Sequence, residues 1–175
     1  FKKGISEKYI TYKYYENGVM SSKANCKINI NFNDEDDFND ERGYFDGKVT
    51  SWHENGQKSK EGFYEGGLQE GQWIEWHENG QKMTEDFYQA DYKYGKSTTW
   101  YSDGQKWEEI YYKKHAFHGT YILWHENGQK AKESNYKEGY LDGESCYWYE
   151  NGQIESKLNY KPDPLYFLDD QWSEE

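Results

Sequence analysis

The stretch Trp76-His77-Glu78-Asn79-Gly80-Gln81-Lys82 decides the fold, because versions of it recur along the chain. It returns as Trp52-His53-Glu54-Asn55-Gly56, Trp100-Tyr101-Ser102-Asp103-Gly104, Trp124-His125-Glu126-Asn127-Gly128 and Trp148-Tyr149-Glu150-Asn151-Gly152. An earlier version reads Tyr14-Tyr15-Glu16-Asn17-Gly18. From Gly56 to Gly152 the turn glycines follow at intervals of 24 residues, whereas Gly18 precedes Gly56 by 38, one period plus 14. Five residues before each tryptophan stands a glycine: Gly47, Gly71, Gly95, Gly119 and Gly143. Eight residues after each turn glycine stands a tyrosine (Tyr64, Tyr88, Tyr112, Tyr136, Tyr160), with Cys26 in that place in the first copy. Self-similarity at a fixed period is the mark of stacked supersecondary units.

Each copy reads as a β-hairpin. Asn-Gly between aromatic-rich segments is the strongest short hairpin signal, since a type I′ turn needs positive φ at both central residues. A helix is excluded because glycine or Asn-Gly interrupts every dozen residues and the apolar spacing does not continue at 3.6. Six turns predict about twelve strands in an all-β, elongated, single-layer antiparallel meander of stacked 24-residue hairpins. Residues 1–160 form the array of six copies, with an acidic insert near 29–42, and 161–175 form an acidic and apolar C-terminal cap or tail. A two-residue Asn79-Gly80 turn pairs Trp76 with Met83 and sets Trp76 and Tyr88 on opposite faces. A three-residue turn with a glycine bulge sets them on the same face. The two-residue turn is the expectation. The other connections, such as Glu65-Gly66-Gly67-Leu68, vary in sequence and read as looser links.

The Trp-x-Glu-Asn-Gly-Gln-Lys segments, the Gly-x-Trp/Tyr-x-x-Trp entry and the closing tyrosine resemble the MORN repeat. The likeness is to its bacterial variant class, whose members are described as antitoxin components, and it covers roughly residues 9 to 160. Ser97 and Ser145 depart from the pattern where Trp73 has bulk, Asp103 replaces Asn, and Tyr14 replaces the first tryptophan. The resemblance implies an extended sheet of hairpins, no shared catalytic residues, and a scaffold that binds proteins.

Composition narrows the partners. The 175 residues carry 33 Asp and Glu against 21 Lys and Arg, a net charge of -12, and 20% are aromatic. The aromatic content argues against a disordered chain. The acid is concentrated in Asp34, Glu35, Asp36, Asp37, Asp40 and Glu41 and again in Asp163, Asp169, Asp170, Glu174 and Glu175. With Arg42 the single arginine, nucleic acid is excluded as a partner and an anionic membrane is disfavoured. No apolar run of about 18 residues marks a membrane-spanning helix.

Candidate chemistry is sparse. His53-Glu54, His77-Glu78 and His125-Glu126 invite a metal or acid-base reading, but equivalent residues one repeat apart lie two strands apart, about 9.6 Å, too far to share an ion. They read as surface turn residues. His115 and His118 lack a third ligand. Cys26 and Cys146 are about 50 Å apart in an open meander and stay unpaired, which leans towards a reducing compartment without excluding secretion. Cys146, in the column of Ile74, Thr98 and Ile122, reads as a packed small hydrophobe. The acidic insert, with Phe38 as its apolar member, lacks the glycine and closing glutamate of a calcium loop and reads as a solvated arm suited to a basic partner. Pro162 to Trp172, with Leu165, Phe167 and Leu168, reads as a cap on the last hairpin, and alternatively as a partner-binding or dimer-forming segment.

No metal, cofactor or catalytic constellation is expected, and the chain does not read as an enzyme. The expected role is a non-catalytic protein-interaction scaffold of antitoxin or immunity type, with another protein as partner. Tryptophan and tyrosine dominate interface hot spots. The candidate partner-binding residues are therefore Trp52, Trp76, Trp100, Trp124, Trp148, Tyr64, Tyr88, Tyr112 and Tyr136. Two alternatives stand beside it: glycan or cell-wall binding by rows of aromatics, and a self-associating module that dimerises through a sheet edge or the C-terminal segment. Both a cytoplasmic bacterial protein and a secreted or cell-surface one are compatible with the sequence.

Overall fold

The computed structural model describes residues 5–30 and 44–161. The acidic-insert residues 33–41 and the C-terminal residues 162–175 lie outside them, as do the roles expected there. The described chain is all-β, with no helix long and apolar enough to cross a membrane among the described residues. It divides into two compact units, one running to Lys93 and including Ser102–Gly104, the other holding Tyr94–Tyr101 and the chain from Gln105 onward.

The first unit contains β1 (Ile5–Tyr14), β2 (Met20–Ile30), β3 (Tyr44–Trp52), β4 (Lys58–Glu65), β5 (Leu68–Trp76), β6 (Lys82–Gln89) and the short β7 (Tyr92–Lys93). The second contains β8 (Gly95–Trp100), β9 (Lys106–Lys113), β10 (Ala116–Trp124), β11 (Lys130–Lys137), β12 (Tyr140–Trp148) and β13 (Ile154–Tyr160). In each unit every strand pairs antiparallel with the strand before it, so the meander is present. The strand count is thirteen rather than twelve because Tyr94 separates β7 from β8.

The turns correct the expected register. Gly80 N–H donates to the His77 carbonyl at 2.9 Å and His77 N–H donates to the Gln81 carbonyl at 2.8 Å. Only Gly80 of the loop Glu78-Asn79-Gly80 has positive φ, at 83°. This is a three-residue turn closed by a glycine bulge, not a two-residue type I′ turn. Trp76 accordingly pairs with Lys82, not Met83. The expected faces survive, because a second irregularity follows. Glu75 pairs with Thr84, so Met83 is left over and the parity shifts back. Trp73 opposes Asp86 and Gly71 opposes Tyr88, so these share a face, and Trp76, three residues beyond Trp73, points to the other.

The type I′ geometry sits at the opposite end of the hairpins, in the links that read as loose. Gly66-Gly67 (φ 58° and 88°), Ala90-Asp91 (49° and 66°), Lys114-His115 (49° and 67°) and Glu138-Gly139 (52° and 90°) each place two successive residues at positive φ. The flanking pairs Glu65 with Leu68, Gln89 with Tyr92, Lys113 with Ala116 and Lys137 with Tyr140 confirm two-residue loops.

A single sheet layer has no second layer to bury against, so its core is a row of residues shielded by their own neighbours across the strands. Trp73 is 3% exposed and lies over Gly62, where an added Cβ would meet the indole at 2.1 Å. In the second unit Tyr121 opposes Ser134, and Ser145 opposes Leu158. Ser134 and Ser145 also oppose each other and are both fully buried, between Tyr121 on one side and Leu158 on the other. Cys26 and Cys146 are both free and buried, consistent with packed small residues.

Candidate functional site

Each strand pleat sorts the repeat into two faces. One carries the tryptophan column, and the other carries the tyrosine column. The nine candidate binding residues are therefore not one surface.

On the tyrosine face the rings pack on each other. In the first unit Tyr64 lies 5.1 Å from Phe45 and 5.0 Å, edge-on, from Trp73, which in turn meets Tyr88 at 6.3 Å. In the second unit Phe117 stands between Tyr112 at 5.2 Å and Tyr136 at 5.3 Å, and Tyr121 meets Tyr136 at 6.0 Å. Burial, together with the Glu108 carboxylate, pushes the Tyr121 hydroxyl well above the usual tyrosine range, so it stays protonated. Such contacts between successive hairpins stabilise the array by about 0.5–1.5 kcal/mol per pair beyond burial.

On the tryptophan face the indoles are half-buried, and lysines cover those of Trp76 and Trp124. Lys58 Nζ sits 5.6 Å from the Trp76 ring centre and Lys106 Nζ 5.5 Å from that of Trp124. The same lysines bond to glutamates three residues on, Lys58 to Glu61 at 2.7 Å and Lys106 to Glu109 at 2.8 Å. Each lysine is held between a carboxylate of its own repeat and an aromatic ring of the next.

The turn residues join repeats. His53 Nε2 lies 2.8 Å from the Trp76 carbonyl and His125 Nε2 2.8 Å from the Trp148 carbonyl. A carbonyl oxygen only accepts, so Nε2 carries the proton in both. Tyr15 and Tyr101 hydroxyls make the same bond to the Trp52 and Trp124 carbonyls at 2.8 and 3.1 Å. The amides of Asn55, Asn79 and Asn127 reach the next turn, donating to the carbonyls of Glu78, Ser102 and Glu150 at 2.6–2.7 Å. Their Oδ1 atoms accept from the backbone two residues on. These histidines and asparagines are clamps between hairpins rather than simple surface residues. Among the described residues no group of three or more His, Cys, Asp or Glu side chains could hold a metal ion. His115 lies in an exposed link turn, and His118 Nδ1 is buried without a hydrogen-bond partner.

The apolar surface left open belongs to a column the reading missed. Phe63 is 48% exposed and Phe87 39% in the first unit, and Tyr111 is 41% exposed in the second. Phe63 and Phe87 alternate with Tyr64 and Tyr88, so they project from the tryptophan face. In the first unit Phe63 borders an open groove of about 520 Å³ shared with Lys8, Ile10, Asn25 and Asp46. The signal was present as the dipeptides Phe63-Tyr64, Phe87-Tyr88 and Tyr111-Tyr112 at the repeat spacing.

The family model described as MORN repeat variant matches residues 45–65, 69–90, 93–114, 117–138 and 141–161. The chain belongs to that family. Among curated proteins no sequence matches it. The matched segments begin at residue 45, yet the β1–β2 hairpin repeats the same turn, with Gly18 N–H donating to the Tyr15 carbonyl at 3.0 Å and Tyr15 N–H to the Val19 carbonyl at 2.8 Å. MORN repeats are commonly binding or scaffold modules, and the family is generally non-enzymatic.

Proposed function

We propose that this MORN-repeat chain is a non-catalytic module that binds another protein through the tryptophan face, and that the binding is of antitoxin or immunity type. The observation that carries it is the exposed column of Phe63 and Phe87 in the first unit, beside the Ile10 groove. Folding buries Trp73 and half-buries Tyr64 and Tyr88 on the far side, while these phenylalanines stay in water. Apolar rings kept in water on an open, pleated surface rimmed by ion pairs suit a protein interface, whose centre is aromatic and whose edge is charged.

The test is capture from the source cell with the full chain as bait, repeated with a Phe63→Ser, Phe87→Ser double variant. Both side chains are exposed, so the variant keeps its unfolding midpoint. Recovery of one specific protein that the variant loses supports the reading, and recovery of a toxin supports its narrower form. Capture that the variant leaves unchanged, or binding to polysaccharide in place of protein, sinks it.

A further inference from the structure

Every internal turn clamps the repeat that follows it, and among the described residues the last turn and the first strand carry matching halves of that clamp without its counterpart. Among the described residues no strand lies beyond β13 or before β1. The last turn still carries the full clamp set. Tyr149 is in the place of Tyr15 and Tyr101, whose hydroxyls bond the next repeat's carbonyl. Asn151 is in the place of Asn127, and its Oδ1 accepts from Gln153 N–H at 3.0 Å as in the other turns. Gln153 is in the place of Gln57, Gln81, Gln105 and Gln129, whose side chains lie against the turn glycine of the next repeat.

The first turn has the receiving half. Gly18 has nothing within 4 Å of where a Cβ would stand, whereas Gly80, Gly104, Gly128 and Gly152 each have the preceding glutamine there. The tryptophan face continues the match. Where other repeats place Lys58, Lys82, Lys106 and Lys130, the last places Ile154, 55% exposed. Where other repeats present a tryptophan to that lysine, the first presents Tyr14, 60% exposed. Leu158, Ile10 and Tyr12 add further exposed apolar surface along the same two strands.

We propose that the edge of β13 in one copy receives the edge of β1 in a second copy, so that the chain associates end to end by the rule that joins its own repeats. In this contact Tyr149 donates to the Tyr14 carbonyl, Asn151 Nδ2 to the Glu16 carbonyl, Gln153 lies against Gly18, and Ile154 covers the Tyr14 ring. The antiparallel sense is right, since β13 is the second strand of its hairpin and β1 the first of its own, as β4 and β5 are. The match spans the half of the strands nearest the Asn-Gly turns. Internal strands receive their predecessor through a bulge at glycine (Gly71 at φ 69°, Gly119 at 86°), and β1 has Tyr9 in that place. A contact over half a strand is reversible. Because it joins two different surfaces, it does not stop at a dimer.

Sedimentation velocity of the full chain over a concentration series tests this. The expected result is a concentration-dependent series reaching beyond the dimer, weakened at least tenfold by Ile154→Lys, which restores the residue type of the other repeats, and by Asn151→Ala. Both changes lie on exposed side chains, and an unchanged unfolding midpoint shows that the fold is kept. A monomer at every concentration overturns the proposal. If hydrogen exchange also finds the β13 amides fully protected in that monomer, the occupant of the edge is the chain's own residues 162–175. Oligomers indifferent to both variants overturn it as well.

Discussion

The two ends of these hairpins solve the same problem in opposite ways. At the Asn-Gly end the sequence is repeated almost letter for letter, yet only the glycine has an unusual backbone conformation. There the joining of repeats is done by side chains: His53 and His125, Asn55, Asn79 and Asn127 on carbonyls of the next turn. At the link end the residues differ every time (Gly66-Gly67, Ala90-Asp91, Lys114-His115, Glu138-Gly139), yet the backbone conformation is the same. There a backbone bond recurs from link to link, and the carboxylates of Asp46, Glu70 and Asp91 add bonds to it in the first unit. Gly67, Asp91 and Gly139 N–H groups donate to the carbonyls of Phe45, Gln69 and Phe117 at 2.8–3.0 Å. Sequence repeats where the joining rests on side chains alone, and drifts where a main-chain bond recurs whatever the side chains are.

The largest expected effect breaks the side-chain end. Gly80→Ala places a Cβ on a backbone at φ 83°, and that Cβ would stand 2.3 Å from Gln57 Oε1. Backbone strain of this kind amounts to about 1–3 kcal/mol. Gly56 has nearly the same φ, also 83°, and nothing within 4 Å. Gly56→Ala therefore meets the strain alone, while Gly80→Ala also displaces the glutamine. Urea midpoints should fall for both and fall further for Gly80→Ala. Equal losses would show that the glutamine stack contributes nothing.

The second effect has the opposite sign and belongs to the link end. Lys114 at φ 49° and Ala90 at φ 49° hold left-handed conformations that an L-residue adopts unfavourably. Lys114→Gly relieves that strain while adding freedom to the unfolded chain, so a net gain of about 0.5 kcal/mol is expected. Thermal unfolding of the variant should show a higher midpoint. A loss would mean that the Lys114 side chain contributes more than its backbone costs.

This contrast also marks how far the sequence could be read. The period and the all-β class follow from spacing and pleat, whereas the opposite faces of Trp76 and Tyr88, expected from a two-residue turn, hold because the slip at Met83 restores the parity that the three-residue turn changes. The turn types were exchanged because Asn-Gly is the preferred pair for a type I′ loop, whereas here Asn79 spends its side chain on Gln81 N–H and the Ser102 carbonyl, with the positive φ confined to Gly80. Nothing in Ala90-Asp91 or Lys114-His115 announces two positive φ angles, since neither pair contains glycine. The tryptophan and tyrosine columns were legible as columns. Their packing between neighbouring hairpins was legible too, but the exposure of Phe63 and Phe87 was not, because it depends on the Gly62 gap and the lysines above Trp76 and Trp124, which arise only when neighbouring repeats are laid side by side.

The smallest expected effect concerns charge, and it too separates the ends. Lys58 and Lys106 stand two residues beyond the turn glycines Gly56 and Gly104 and hold Glu61 and Glu109. The Lys58 bond, joined by Lys48 at 3.1 Å, holds the Glu61 carboxyl below the usual glutamate range against the opposing pull of burial. For Glu109 burial pulls upward most strongly of the single influences, but bonds from Lys106 and Lys96 at 2.8 and 2.7 Å together outweigh it and lower it as well. A carboxyl lowered in the folded state stabilises the fold above its unfolded value, near pH 4.3, and that contribution fades as pH falls through the lowered folded value. Glu61→Gln should therefore destabilise the protein at pH 7 and cease to matter in strong acid. The pair is partly exposed, so added salt at pH 7 should shrink the same difference, which is of the order of tenths of a kcal/mol. At the link end Glu138 stands 3.9 Å from Lys113, with both side chains at least half exposed, and Glu138→Gln should change the midpoint less than Glu61→Gln does. If the two variants lose equally at pH 7, the lysines after the Asn-Gly turns are ordinary surface charges and the lysine–tryptophan stacking is not supported by the ion pair beneath it.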